Sequence, residues 1–267
     1  MSKSLKTLIA AIVMAGGVSS AAIADGYDYE YEPVGKSFAA PPIFAWTGWY
    51  AGMAAGWIRS ESEATLTGVT GNFVPAAGLL PSKLSHDADG FIAGLTLGYN
   101  QKMGVSFVGG IEADIAYTDV GGSKARSITV AGNTGSASVR TDMDWFGTVR
   151  ARAGWLASQQ MLFYATGGLA YADLDRTASA SVVNNGVGIV VGSSASSSKS
   201  DWKAGWTVGG GLEWLLGRKT TLKSEYLYYD LEDSSITLVD TAPAATATYK
   251  NENTGHIVRM GLSVALY

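Results

Sequence analysis

The stretch 145-WFGTVRARAGWL-156 holds two arginines, Arg150 and Arg152, inside a run with the alternation of a β-strand. A second stretch, 105-VSFVGGIEADIAYTD-119, holds Glu112 and Asp114, also two apart. Alternate side chains of a strand point to opposite faces. One face of the first run is Trp145, Gly147, Val149, Ala151, Ala153 and Trp155, uncharged and with a tryptophan near each end. The other face is Asp144, Phe146, Thr148, Arg150, Arg152 and Gly154. The second run divides likewise, with Phe107, Ile111, Ala113, Ile115 and Tyr117 opposite Val108, Glu112 and Asp114. An uncharged face bounded by aromatic residues is the pattern of a lipid-facing strand with interfacial girdles. A Lys or Arg on such a face costs about 2–4 kcal/mol at the bilayer midplane, so the charged face belongs inside a closed barrel.

Six further runs complete the pattern. The eight expected strands cover 46–58, 89–101, 105–118, 141–157, 161–174, 201–215, 220–230 and 255–267, each rich in aromatic and small residues. Short connections fall near 102–104, 158–160 and 216–219. Long ones fall at 59–88, 119–140, 175–200 and 231–254, and contain Gly-, Ser- and Thr-rich runs such as TGVTGN, AGNTGSAS and SSASSSKS. The expected fold is all-β: a closed eight-stranded antiparallel transmembrane barrel with short periplasmic turns and long extracellular loops. The even strand count returns both ends of the barrel to one side of the membrane.

The amino terminus, MSKSLKTLIAAIVMAGGVSSAAIA, has Lys3 and Lys6, an apolar stretch from Leu8 and an Ala22-Ile23-Ala24 ending. Residues 1–24 are therefore expected to be a secretory signal cleaved after Ala24. The apolar run is shorter than the roughly 20 residues of a spanning helix, which argues against a membrane anchor. Residues 25–45, acidic, Tyr-rich and broken by proline, are expected to form a flexible periplasmic leader, and 46–267 the barrel. The mature chain would carry 17 basic and 23 acidic side chains, a balance that does not favour nucleic acid. The absence of cysteine excludes a disulfide scaffold and any thiolate metal site.

The inward parity of all eight strands collects Glu112, Asp114, Asp144, Glu213 and Glu225 against Arg150, Arg152, Lys203, Lys223 and Arg259. An eight-stranded barrel is just wide enough for side chains to fill it, so these charges must neutralise one another. Counted from the periplasmic turns, Glu112, Asp114, Arg150, Arg152 and Arg259 stand at similar heights. They are expected to form a central cluster, above a lower group of Glu213, Lys223 and Glu225.

The segments WTGWYAGMAAGW (46–57), FVGGIEADIAYTD (107–119), DWFGTVRARAGW (144–155), GWTVGGGLEW (205–214), LKSEYLYYDL (222–231) and HIVRMGL (256–262), in this order, resemble the alphaproteobacterial outer-membrane surface-protein family. These are porin-like, OmpA-type eight-stranded barrels, also called outer-membrane immunogenic proteins. The resemblance runs from about Trp46 to the carboxyl end. It implies a bacterial outer-membrane barrel that supports the envelope and displays surface loops, with some members described as porins or hemin binders. Outer-membrane lipids and lipopolysaccharide would surround it, and the barrel-assembly machinery would handle it in transit. Such barrels usually end on an aromatic residue in phase with the lipid-facing set. Here Met260, Leu262, Val264 and Leu266 form that set and Tyr267 falls one step beyond it. No chain remains after the eighth strand for a peptidoglycan-binding domain, so a direct wall tether is not expected.

Other chemistries read poorly. Glu112 and Asp114 could act as an acid/base pair, but Arg150 and Arg152 stand ready to neutralise them. The two histidines, His86 and His256, carry no local motif for nucleophilic catalysis or lipid modification, and two His without Cys make a poor metal site. The Gly-rich 208-VGGGL-212 lies within a strand and opens no helix, which removes a phosphate-loop reading. No catalytic residue, cofactor or metal is expected. A lipocalin-like soluble barrel would reverse the observed parity. A narrow porin for small solutes, and a surface receptor using 175–200 or YKNENTGH (249–256) for hemin, a host surface or phage, remain the alternative readings.

Overall fold

A computed structural model describes residues 46–71, 80–130, 133–183, 193–241 and 244–266. The expected signal, leader and terminal Tyr267 lie outside the described residues. Eight strands follow in chain order: β1 (Gly48–Gly71), β2 (Lys83–Met103), β3 (Phe107–Val130), β4 (Asn133–Leu156), β5 (Met161–Val183), β6 (Ser193–Leu215), β7 (Thr220–Thr241) and β8 (Ala244–Ala265). Each pairs antiparallel with its chain neighbours, and β1 pairs with β8 to close the ring. Closure removes the free sheet edge that hydrocarbon cannot tolerate.

The sidedness follows the alternation. Outward residues between the girdles, such as Leu95, Ile111, Val149, Leu169 and Met260, are large, apolar and exposed, Leu169 at 66 %. A soluble protein does not tolerate a continuous band of this kind. Aromatic pairs across strand neighbours mark its two rims. Trp49 meets Tyr99 at 5.4 Å on the periplasmic side, while Trp57–Phe91, Tyr117–Trp145 and Tyr171–Trp202 meet at 5.8–6.3 Å on the other.

The strands are 21–24 residues long, twice the roughly 9–11 that a membrane strand needs. Most of 59–88, 119–140, 175–200 and 231–254, read from composition as connecting loop, is strand that continues past the outer girdle. Its Ser and Thr content conceals a period of two. In 177-TASAS-181 the buried positions are Ala178 and Ala180, and in 234-SSITL-238 they are Ile236 and Leu238. Small apolar residues inside and hydroxyls outside make a half-buried strand as surely as Leu and Lys do.

This outer half is not a simple continuation of the ring. Pairing of β2 with β3 ends at Ile92–Thr118, and pairing of β6 with β7 ends at Gly205–Leu231. Beyond those seams, β3–β4–β5–β6 and β7–β8–β1–β2 remain paired as two four-stranded sheets. Their facing sides contribute Ala64, Leu84, Val139, Ala180, Leu238 and Tyr249 to one apolar cluster.

One β-bulge changes a side-chain assignment. The register slips at Met143/Trp145 against β5, leaving Asp144 as the extra residue. Met143 and Phe146 both turn inward, and Asp144 is exposed on the outside. A bulge inserts one residue and inverts the alternation beyond it, which a strict period of two misses.

Replacing Ala151, outward and between the girdles, by Arg should cost about 2–4 kcal/mol of folding free energy in a bilayer. Ser127→Arg, exposed in the outer half, should stay within about 0.5 kcal/mol of the parent. Denaturant titration of the protein refolded into vesicles reads both. Equal costs would contradict the sidedness.

Candidate functional site

The inward charges come from five strands. β3 supplies Glu112 and Asp114, β4 Arg150 and Arg152, β6 Glu213, β7 Lys223 and Glu225, and β8 Arg259. Register sets Glu112 opposite Arg150, Glu213 opposite Lys223 and Glu225 opposite Arg259. None of the eight is more than 5 % exposed. Four carboxylates and four cations make the layer neutral, and a buried charge persists only with such compensation.

Arg150 is the hub. Its Nη1 donates to Glu225 at 2.9 Å, and its Nη2 donates to Glu112 at 2.5 Å and Asp114 at 2.9 Å. Its Nε donates to Thr148 at 2.8 Å, whose hydroxyl donates to Asp114 at 2.6 Å. Arg152 bridges Glu213 at 2.7 Å and Glu112 at 3.3 Å. The Lys223 ammonium bonds both oxygens of Glu112, at 2.6 and 2.7 Å, and lies 3.3 Å from Glu225. Arg259 joins Glu225 at 2.7 Å to Asp114 at 2.9 Å. Arginine suits this position because its planar fork of donors engages several carboxylates at once.

Two tyrosines complete the network, and the sequence reading gave them no role in it. Tyr50 donates to Glu112 at 2.6 Å and accepts from Arg152 at 2.8 Å. Tyr164 donates to Glu225 at 2.9 Å, and the Arg152 guanidinium lies 4.1 Å from its ring centre, within cation–π range. Each ring lies against a glycine. A Cβ on Gly98 would come within 2.3 Å of the Tyr50 ring, and one on Gly211 within 2.6 Å of the Tyr164 hydroxyl. The available signal was an inward aromatic at the height of the charges with an inward glycine on a neighbouring strand.

The arrangement departs from expectation in three places. Asp144 is displaced outward by its bulge and takes no part. Lys203 faces inward but stands nearer the outer end, 3.7 Å from Asp201 and away from the network. The separate lower group does not exist, because Lys223 reaches up to Glu112 and Glu213 pairs with Arg152. Long side chains span the difference in height that a count along the strands assigned to two layers.

A second inward layer lies above the ions. Ile58, Ile92, Met143, Phe146, Leu227, Tyr229 and Ile257 are all 0–1 % exposed and form one cluster, with Phe146 and Tyr229 at 5.0 Å between ring centres. At the periplasmic end, the cavity that reaches Tyr50 and Glu213 has a volume of about 20 Å³, room for about one water. Glu112, Asp114 and Glu225 are each engaged by at least two cations, and Glu213 by Arg152. The two histidines do not meet. His256 points outward, stacked on Tyr226 with Nδ1 2.7 Å from its hydroxyl. His86 is buried inside the outer half, where desolvation holds its imidazole below the ordinary value.

Because the eight charges act as one unit, Arg152→Leu or Glu213→Leu alone should each cost about 3–5 kcal/mol by stranding a partner. The double variant should cost less than the sum by more than about 1 kcal/mol. Equilibrium unfolding of the three variants in detergent supplies the cycle; strict additivity would show that the pair is not coupled.

The sequence profile of the family described as "Outer membrane protein beta-barrel domain" matches residues 33–259. The 31 kDa outer-membrane immunogenic protein of Brucella melitensis biotype 1 is 33% identical over 260 residues, covering 97% of this chain and 99% of the relative. The protein of the same name from Brucella suis biovar 1 gives the same figures. Among solved structures, the outer membrane protein OprG from Pseudomonas aeruginosa is similar with a TM-score of 0.43 at 10% identity, over 84% of this chain and 99% of that one. The chain accordingly belongs to the outer-membrane β-barrel family and resides in the bacterial outer membrane, among its lipids and lipopolysaccharide.

Proposed function

We propose that this protein is a structural barrel with a sealed lumen, which supports the envelope and carries an outer half away from the membrane surface. The observation that carries this reading is the pair of stacked layers across the lumen, ionic below and apolar above, with Arg150 at the centre and 1 % exposed. An ion crossing the first layer would have to break a neutral network of charge-assisted hydrogen bonds. The second layer is apolar apart from the Tyr229 hydroxyl and imposes a desolvation penalty.

A non-enzymatic role agrees with the same geometry. The paired carboxylates are consumed by their cations, and neither histidine stands with a nucleophile. Lipid, lipopolysaccharide and, during export, the barrel-assembly machinery are the partners that the apolar outer band requires. Among the described residues, the two stacked layers span the lumen, which favours this reading over a narrow porin.

Recording in planar bilayers tests the seal. The parent protein should give no steady conductance. Arg150→Ala should also give none, because Phe146, Leu227 and Tyr229 still close the lumen above it. Combining Arg150→Ala with Phe146→Gly and Tyr229→Ala should open measurable current. Steady single-channel steps from the parent would overturn the proposal.

A further inference from the structure

The outer half carries its charges the opposite way round from what solvation alone requires. Its outer faces carry an excess of acids: Glu61, Asp87, Asp89, Asp119, Asp175 and Glu252 stand there, with Arg59, Lys83, Arg140 and Lys250 paired to some of the acids on the same side. Its inner faces are basic. Arg176 is buried among them, and register sets Lys199 beside it, Lys203 beside buried Ala172, and Lys124 and Arg126 beside buried Val139 and Ala137. Among the described side chains, Asp201 is the one acid on that inner side, and it is engaged by Lys199 at 2.7 Å. Lys124, Arg126 and Lys199 reach solvent while Lys203 and Arg176 are shielded, and together these cations leave the inner side net positive.

Between the two apolar clusters runs a polar belt with unmet donors. Arg176 crosses to β7, where its Nη1 donates to the Ser234 hydroxyl, yet its Nε and Nη2 have no partner. Ser234 is the register partner of Asn251, whose Nδ2 is also unmet. Two residues on, Asn253 accepts from Ser62 at 2.7 Å and leaves its own Nδ2 unmet. Arg176, Asn251 and Asn253 are 6 %, 4 % and 1 % exposed. Burial depresses the Arg176 guanidinium from its usual value, with Asp201 offsetting only in part. Buried donors are nearly always paired, and a buried guanidinium with two bare nitrogens demands an acceptor. Four unmet N–H-bearing atoms, from one guanidinium and two amides, belong to one belt tied together by the Arg176–Ser234 bond and the Ser234–Asn251 register, and they are the donor types that a tetrahedral oxyanion takes.

The approach is also built. The β6–β7 ladder stops at Gly205–Leu231, directly below the Arg176–Ser234 contact, so the wall has a seam at the level of the belt.

We propose that the outer half binds a soluble oxyanion of the phosphate class on the inside of the β6–β7 seam, held by Arg176, Asn251 and Asn253. The lipid phosphates of the membrane face the opposite side of the wall, which is acidic. The reading does not depend on whether the lumen below conducts.

Isothermal titration of inorganic phosphate into the full-length protein, refolded in a phosphate-free uncharged detergent, tests it. Saturable binding of one equivalent is expected. Arg176→Gln should weaken it at least about tenfold, the loss of a hydrogen bond to a charged group. Asn251→Leu with Asn253→Leu should weaken it with the charges intact, whereas Lys250→Gln, on the outer face, should leave it unchanged. Heat-modifiable mobility on unboiled gels verifies that each variant folds. Absence of saturable binding in the parent, indifference to Arg176→Gln, or binding seen only with lipopolysaccharide-containing bilayers would each overturn the proposal.

Discussion

Hydrocarbon offers no partner to a polar group, and this constraint organises the molecule. It forces the backbone into a closed ring, sends uncharged side chains outward at the hydrocarbon level and gathers the charges of that level at the axis. Once gathered, the charges must balance. Four carboxylates and four cations do so within a few ångströms, and Arg150 alone touches three of the acids. Buried ion clusters are weak evidence for net stability, because desolvation opposes the attraction. What the cluster secures here is register. A one-residue slip of β4 would send Arg150 and Arg152 into lipid and strand four carboxylates.

The apolar layer above the ions has a different origin. The inward parity of β7 runs Lys223, Glu225, Leu227, Tyr229, changing from charged to apolar within one strand. The lumen is thus a stack of unlike layers, each neutral within itself. An ionic layer alone can rearrange around water, and an apolar one alone can wet. Placed in series, each covers the weakness of the other, so a seal of the proposed kind would not rest on any single residue.

Much of this is written in the sequence in a simple form. A charge inside a strand of a membrane barrel has one side open to it, so parity alone places Glu112, Asp114, Arg150 and Arg152 on the face they occupy. The strand count and chain-order pairing follow from the same alternation. Three features escape it. Asp144 follows from a bulge, and a bulge is a tertiary decision with no fixed signature in DWFGT. Tyr50 and Tyr164 join the network through glycine slots on neighbouring strands, and those depend on register across the sheet. The outer strands escape because Ser, Thr and Gly read as loop by composition, although Ala178 and Ala180 alternate with hydroxyls as cleanly as larger residues do elsewhere.

The seams at Ile92–Thr118 and Gly205–Leu231 divide the chain into two mechanical regimes. Below them every strand is hydrogen-bonded on both sides, so no strand can leave without breaking two ladders at once. Above them four strands have one free edge, and the two sheets are joined there by side chains such as Arg176 and by small alanines in place of a continuous ladder. Opening the upper sheets therefore requires no rupture of the ring, and the exterior portion can breathe, fray or accept sequence drift while the membrane-level ring beneath it stays intact.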